Sequence, residues 1–179
     1  SLSEQWLVDC SHLCLDSSES TCNGGCNGGL PWLAYESIIF NKYIPSDHYY
    51  PYIGKNESCK NITAPGASIT GWSHVPGLEP CEWPYSLRQS NILSNGTAID
   101  NIEVHLVTYG PLSVTLNAYM LMWYSHGIIT TNSTIECPGS GTDHAVLVVG
   151  WGQENNIHYW SIKNSWGQDW GENGYFRMT

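Results

Sequence analysis

The sequence predicts an α+β protein whose helices and strands occupy separate halves of the chain. Helical periodicity is confined to the part before Gly110-Pro111, and strand signals dominate from Leu112 onward. Nine Trp and eleven Tyr stand against only 12% charged residues. Enough apolar surface is therefore available to offset the ordering entropy, and a disordered chain is not expected.

Charge narrows the function classes. The net charge is −10 with only six Lys plus Arg. No basic stripe exists to replace counterions on nucleic acid, and an acidic surface does not favour anionic membranes. No apolar run approaches the ~20 residues a bilayer span needs. The opening Ser1-Leu2-Ser3-Glu4-Gln5 has neither the basic nor the apolar region of a leader peptide. Seven cysteines point to an oxidising compartment. The run Cys10, Cys14, Cys22, Cys26 has a competing zinc reading, but it lacks the CxxC knuckles of most structural sites. No metal and no cofactor are expected. Sequons at Asn56, Asn61, Asn95 and Asn132 add weak support for a secretory route.

Element by element, residues 3–8 read as a helix start capped by Ser3. Residues 10–29 are too rich in Cys, Asn and Gly to be anything but loop. Residues 30–40 form a helix with Pro31 in its first turn, where a missing N–H costs nothing. Trp32, Tyr35, Ile38 and Ile39 give it an apolar face. Residues 41–65 are turn-like, 69–75 are a candidate strand, and 76–96 are a long loop holding Cys81. Residues 98–109 carry Ile99, Ile102, Leu106 and Val107 at helical spacing, and Gly110-Pro111 stops them. Strands are expected at 112–116, 128–130, 145–149, 158–163 and 175–178. Two domains follow, a helical, disulfide-rich one at 1–70 and a strand-rich one at 71–179.

The stretch 143–174 organises the chemistry. His144 lies in Asp143-His144-Ala145-Val146, and Asn164 follows in Lys163-Asn164-Ser165-Trp166-Gly167. Two strands would bring this His and Asn to neighbouring strand ends under a lid of tryptophans. That is how a histidine is held in one tautomer for proton transfer. His144 alone would read more readily as a core histidine bonded to backbone, and the other six histidines keep that reading.

Five motifs in order carry a family resemblance: Ser3-Glu4-Gln5-Trp6-Leu7-Val8-Asp9-Cys10, Gly25-Cys26-Asn27-Gly28-Gly29, Gly110-Pro111-Leu112-Ser113-Val114, the His144 segment and the Asn164 segment. Together the chain resembles the papain family of cysteine proteases, in particular its cathepsin L- and F-like endopeptidases. The resemblance implies a papain-like two-lobed fold, a helical lobe and an antiparallel β-barrel-like lobe, incomplete at both ends. It implies hydrolysis of peptide bonds through a cysteine thiolate, a histidine imidazolium and a thioester acyl-enzyme. By motif, His144 is the general base, Asn164 its orienter and Trp166 the indole shielding their hydrogen bond. Gly28 and Gly29 would hydrogen-bond an extended peptide. Leu30, Pro31, Thr115 and Ala145 would line the pocket for the second residue before the scissile bond, and Asp143 would stand at the mouth of the cleft. Implied partners are peptide or protein substrates, a propeptide and cystatin-like inhibitors. The implied place is a lysosome- or vacuole-like compartment or the extracellular space.

The nucleophile is missing from this picture. Family members carry it in a Cys-Gly-Ser-Cys-Trp type motif, and no cysteine here is followed by an aromatic residue. Cys10 lies about the family's ~130–150 residues before His144, yet its local motif is that of a structural half-cystine. The chain therefore reads as a fragment, inactive as it stands, whose nucleophile would lie upstream of Ser1. The alternatives are a secreted pseudoprotease or binding protein that has lost its nucleophile, and a disulfide-rich binding module unrelated to proteolysis. Family pairing implies the bridges Cys10–Cys59 and Cys14–Cys22. Cys26 and Cys137 would have partners beyond the two ends, Cys81 is unassigned, and Cys81–Cys137 remains an alternative pairing.

Overall fold

The computed structural model describes residues 1–15, 22–75, 98–130 and 142–179. The loop at 76–96, Cys81, Cys137 and the sequons at Asn95 and Asn132 lie outside the described residues. The chain divides into two compact units, Ser1–Ser73 and His74–Thr179. The sequence had suggested a division after residue 70.

In the first unit, helix α1 runs Glu4–Cys10. Ser3 caps it, its hydroxyl accepting the Trp6 N–H at 2.9 Å while donating to the Tyr50 carbonyl at 2.6 Å. Helix α2 runs Pro31–Asn41, ending on Lys42 in the left-handed region at φ 57°. The face α2 buries is Leu33, Ser37 and Ile38, whereas Trp32 and Tyr35 are only half-buried. The expected apolar stripe is thus rotated. Ser37 can be buried because its hydroxyl donates to the Leu33 carbonyl at 2.9 Å and meets the Ser11 hydroxyl at 2.7 Å. Two short strands, β1 (Ile44–Pro45) and β2 (Gly66–Ala67), pair antiparallel. Residues 69–75 form no strand, contrary to the sequence expectation. Trp6, Ile38, Ile44 and Tyr50 make the core. Asp9, 1% exposed, sits beside it, accepting from Gln5 Nε2 (2.9 Å), Tyr50 Oη (2.8 Å) and the Glu57 N–H (2.8 Å).

The first element of the second unit among the described residues is α3 (Ala98–Tyr109), of which Leu106 is buried and Val107 exposed. Strand β3 (Leu112–Leu116) follows, then a 3-10 helix at Ala118–Trp123 and the short β4 (Ile128–Ile129). A long hairpin comes next, β5 (His144–Glu154) and β6 (Ile157–Lys163), turned by Asn155 and Asn156 at φ 51° and 62°. Strand β7 is Tyr175–Met178. The sheet order is β3-β5-β6-β7-β4. Among the described residues this is an open sheet rather than a closed barrel. It is also not wholly antiparallel, because β4 runs parallel to β7. Leu106, Leu121, Val146, Val148, Ile162 and Phe176 form its core. Burying Phe176 fully contributes roughly 2–3 kcal/mol.

Candidate active site

Strand register brings His144 to Asn164. In the β5–β6 ladder Leu147 faces Lys163, so the first residue of β5 and the residue just after β6 lie at the same end of the sheet. Alternation along β5 puts His144 on the face that Val146 and Val148 bury, while Ala145 turns outward. The backbone of Asn164 is pinned, its N–H donating to the Gly174 carbonyl at 2.9 Å. With both ends of the contact fixed by main chain, His144 Nε2 stands 2.8 Å from Asn164 Oδ1.

That geometry selects a tautomer. Asn164 Oδ1 also receives the Ser165 backbone N–H at 2.8 Å. A peptide N–H can only donate, so the atom it meets must be the amide oxygen. An oxygen facing the imidazole makes Nε2 the protonated nitrogen and leaves Nδ1 free to accept a proton. Asn164 is 6% exposed, and its Nδ2 has no partner among the described residues. Leaving a buried donor unmatched costs about 1–3 kcal/mol, which the amide carries in order to keep its oxygen toward the histidine.

Indoles cover the pair. Trp166, 39% exposed, tilts over His144 with ring centroids 5.1 Å apart, and Trp170 stands edge-on to Trp166 at 5.1 Å. Trp170 in turn packs against Tyr124 and Phe176, so the cover is continuous with the core. A low-dielectric roof strengthens the polar contact beneath it. The turn carrying these indoles is tied down by Glu172, whose carboxylate accepts from Arg177 and from the Gly127 N–H at 2.9 Å. These contacts, chiefly that with Arg177, hold the Glu172 carboxyl below its usual range against the opposing effect of burial.

The other sequence-predicted residues fall as follows. Thr115 and Ala145 are direct cross-strand partners on the outward face of β3 and β5. Asp143 donates its N–H to the Leu116 carbonyl, and its carboxylate accepts the Ala118 N–H at 2.8 Å. In the first unit, Gly28 has φ +98°, a backbone that favours glycine, and a Cβ there would meet nothing within 4 Å. A Cβ on Gly29 would overlap the Asn23 amide and lie 3.2 Å from its Cα. Asn23 Oδ1 also takes the Leu30 N–H at 2.7 Å, which sets the start of α2 ahead of Pro31.

Cys10 is bonded to Cys59, and Cys14 to Cys22. Three sulfurs of the four-cysteine run are therefore in disulfides, and Cys26 carries a free, exposed thiol. Closing the loop between Cys10 and Cys59, 49 residues apart in sequence, contributes about 4 kcal/mol in the chain-entropy account. No helix among the described residues is long and apolar enough to cross a membrane. Sequence reasoning missed Asn23, Ser165 and the Glu172–Arg177 pair. Only the last had a visible signal, opposite charges five residues apart across the turn into β7.

Residues 1–179 match the family model described as "Papain family cysteine protease". Cysteine proteinase 15A of Pisum sativum is 36% identical over 186 residues, covering 99% of this chain and 45% of its own length. Pro-cathepsin H of Mus musculus is 37% identical over 177 residues, covering 98% and 45%. The chain thus spans less than half the length of these relatives. Digestive procathepsin L 3 from the Tenebrio molitor larval midgut superposes with a TM-score of 0.74 at 31% identity, over 99% of this chain and 49% of that one. The bromelain protease of Ananas comosus, in complex with the E64 inhibitor, gives 0.71 at 29%, over 99% and 68%. The α+β fold is the papain-like one, and the chain belongs to the papain family of cysteine proteases.

Proposed function

We propose that this chain carries the base half of a cysteine endopeptidase site. His144 takes the proton of a cysteine thiol and later delivers it to the leaving amine, Asn164 orients the imidazole, and Trp166 keeps water from their contact. The observation supporting this is the 2.8 Å contact between Nε2 and Oδ1 beneath the Trp166 ring. The acid–base role needs an imidazole fixed in one tautomer, and this contact supplies it.

Peptide substrates lie extended along Gly28 and Gly29. Among the described residues neither the N–H nor the C=O of Gly29 takes a hydrogen bond, which leaves both for a substrate backbone. Leu30 and Pro31 of the first unit, and Thr115, Asp143 and Ala145 of the second, are the residues assigned by motif to recognise the second residue before the scissile bond. A propeptide, as the relatives' procathepsin names suggest, and cystatin-like inhibitors are the other partners. The setting is a secretory or lysosome-like compartment.

Among the described residues no thiol shows a contact that would activate it. Cys10, Cys14, Cys22 and Cys59 are in disulfides, and none of the seven is followed by an aromatic residue. The chain by itself therefore hydrolyses nothing. The test is labelling with an epoxide of the E64 type. The 179-residue chain should stay unlabelled, and a chain extended upstream with its own encoded residues should be labelled in a manner dependent on His144. Stoichiometric labelling of the 179 residues would sink the inactivity proposal. An upstream sequence without a cysteine–tryptophan pair would sink the peptidase reading in favour of a secreted binding protein.

A further inference from the structure

Two glycosylation sequons fall on the described surface of the first unit, Asn56-Glu57-Ser58 and Asn61-Ile62-Thr63, and the fold treats them differently. We propose that Asn61 is an N-glycan attachment site of this protein and that Asn56 is left bare because its amide has a structural task.

At Asn61 the chain alternates. Ile62 turns inward and packs against the Trp6, Ile38, Ile44 and Tyr50 cluster, while Asn61 and Thr63 are exposed on either side of it. No hydrogen bond engages the Asn61 amide among the described residues. The Cys10–Cys59 bridge anchors the backbone two residues earlier, so a sugar here hangs from a fixed stem into solvent. The segment lies outside every helix and strand, so no ladder or helical hydrogen bonding withholds its backbone from an acceptor conformation.

Asn56 is likewise exposed and outside every helix and strand, but its amide is engaged. Its Oδ1 accepts the Cys26 backbone N–H at 2.7 Å, and its Cγ lies 3.0 Å from where a Cβ on Gly25 would stand. Gly25 has φ +61°, and the amide fills the space its missing side chain leaves. The segment around Asn56 is held on both sides. The Ile53 N–H donates to Gln5 Oε1, Gln5 Nε2 donates to the Lys55 carbonyl, and the Glu57 N–H donates to Asp9. A sugar on this amide would rest against the turn that leads into Gly28 and Gly29. Its sequon also has the poorer acceptor chemistry, with serine in place of threonine and an acidic middle residue.

The transfer is ordinary in its balance. The anomeric carbon of a lipid-linked pyrophosphate oligosaccharide bonds to Asn61 Nδ2, the carbon–oxygen bond to pyrophosphate breaks, and the amide nitrogen loses one proton.

The test expresses the chain behind a cleavable secretion signal in a eukaryotic cell, which makes it independent of the natural compartment. Site occupancy is read in the secreted and retained pools by enzymatic deglycosylation in oxygen-18 water and peptide mass spectrometry. Asn61 should be converted to labelled aspartate in most secreted molecules, with Asn56 unlabelled. Unlabelled Asn61 in both pools, or Asn56 labelled as fully as Asn61, overturns the proposal. In sugar-free refolded protein, Asn56→Gln should lower Tm and Asn61→Gln should leave it unchanged. An unchanged Tm for Asn56→Gln overturns the structural half.

Discussion

Arg177 grips Glu172 with two contacts at once, Nε to Oε2 and Nη2 to Oε1, each at 2.8 Å. The fork-to-fork geometry closes the turn between Trp170 and β7, the turn on which the indole cover of His144 stands. Arg177 also reaches Glu154 at the end of β5 and lies 5.1 Å from the Tyr159 ring.

Because the folded Glu172 carboxyl titrates below its ordinary 4.5, its contribution to stability is complete above that value. It is lost as pH falls through the lower folded value. Thermal unfolding of the second unit should therefore weaken below about pH 4.5, and Glu172→Gln should flatten that part of the profile. At pH 7 the same substitution should cost about 1–2 kcal/mol, since both side chains keep some solvent contact. A Glu172→Gln profile with the wild-type acid slope would show that another group titrates there.

Asn164→Ala removes the oxygen that keeps the proton on His144 Nε2. Nitrogen-15 correlation spectra of the neutral imidazole should change from one tautomer to a mixture. In a chain that also carries the nucleophile, kcat/KM should fall by about 10²- to 10⁴-fold, the span of a positioned acid–base group. An unchanged tautomer in the Ala variant would remove Asn164 from the role of orienter.

Tyr50→Phe should damage the first unit through Asp9. Burial pushes the Asp9 carboxyl up, and hydrogen bonds from the Glu57 N–H, Tyr50 and Gln5 outweigh it, so the folded value lies below the ordinary 3.8. Losing the Tyr50 hydroxyl removes one of these donors. The cost should be about 1.5–3 kcal/mol by urea unfolding at neutral pH, and the loss of stability as pH falls below 3.8 should become smaller, because the folded value moves back toward the ordinary one.

The paired glycines should respond to alanine for different reasons. Gly28→Ala meets open space but adopts a strained backbone, at about 1–2 kcal/mol. Gly29→Ala collides with Asn23, and a cost of about 3 kcal/mol is expected. A double-mutant cycle separates them. Asn23→Ala should relieve part of the Gly29→Ala penalty and none of the Gly28→Ala penalty.

Legibility in the sequence followed the kind of force involved. His144 and Asn164 could be paired because period-2 strands flank both and a turn of tryptophans follows. Helix α3 was legible to the residue because Gly110-Pro111 stops it, while for α1 the Ser3 cap marked the start and the end at Cys10 lay two residues beyond the expected 8. The face of α2 was misjudged because aromatic size suggested Trp32 and Tyr35 for the core. The Ser11, Asn23 and Ser37 hydrogen bonds instead draw a polar residue inward. Such side-chain networks join residues far apart in sequence and leave no periodic trace. The 69–75 segment has strand-like residues, yet the β2 strand that pairs with Ile44–Pro45 is Gly66–Ala67.

The Ser165 N–H that fixes the Asn164 amide belongs to the peptide bond rather than to a side chain. Position 165 can thus drift among residue types without disturbing the histidine, with one prohibition. Proline alone lacks that hydrogen, so Ser165→Pro is the single-codon change that would unlatch the imidazole while leaving His144, Asn164 and Trp166 in the sequence.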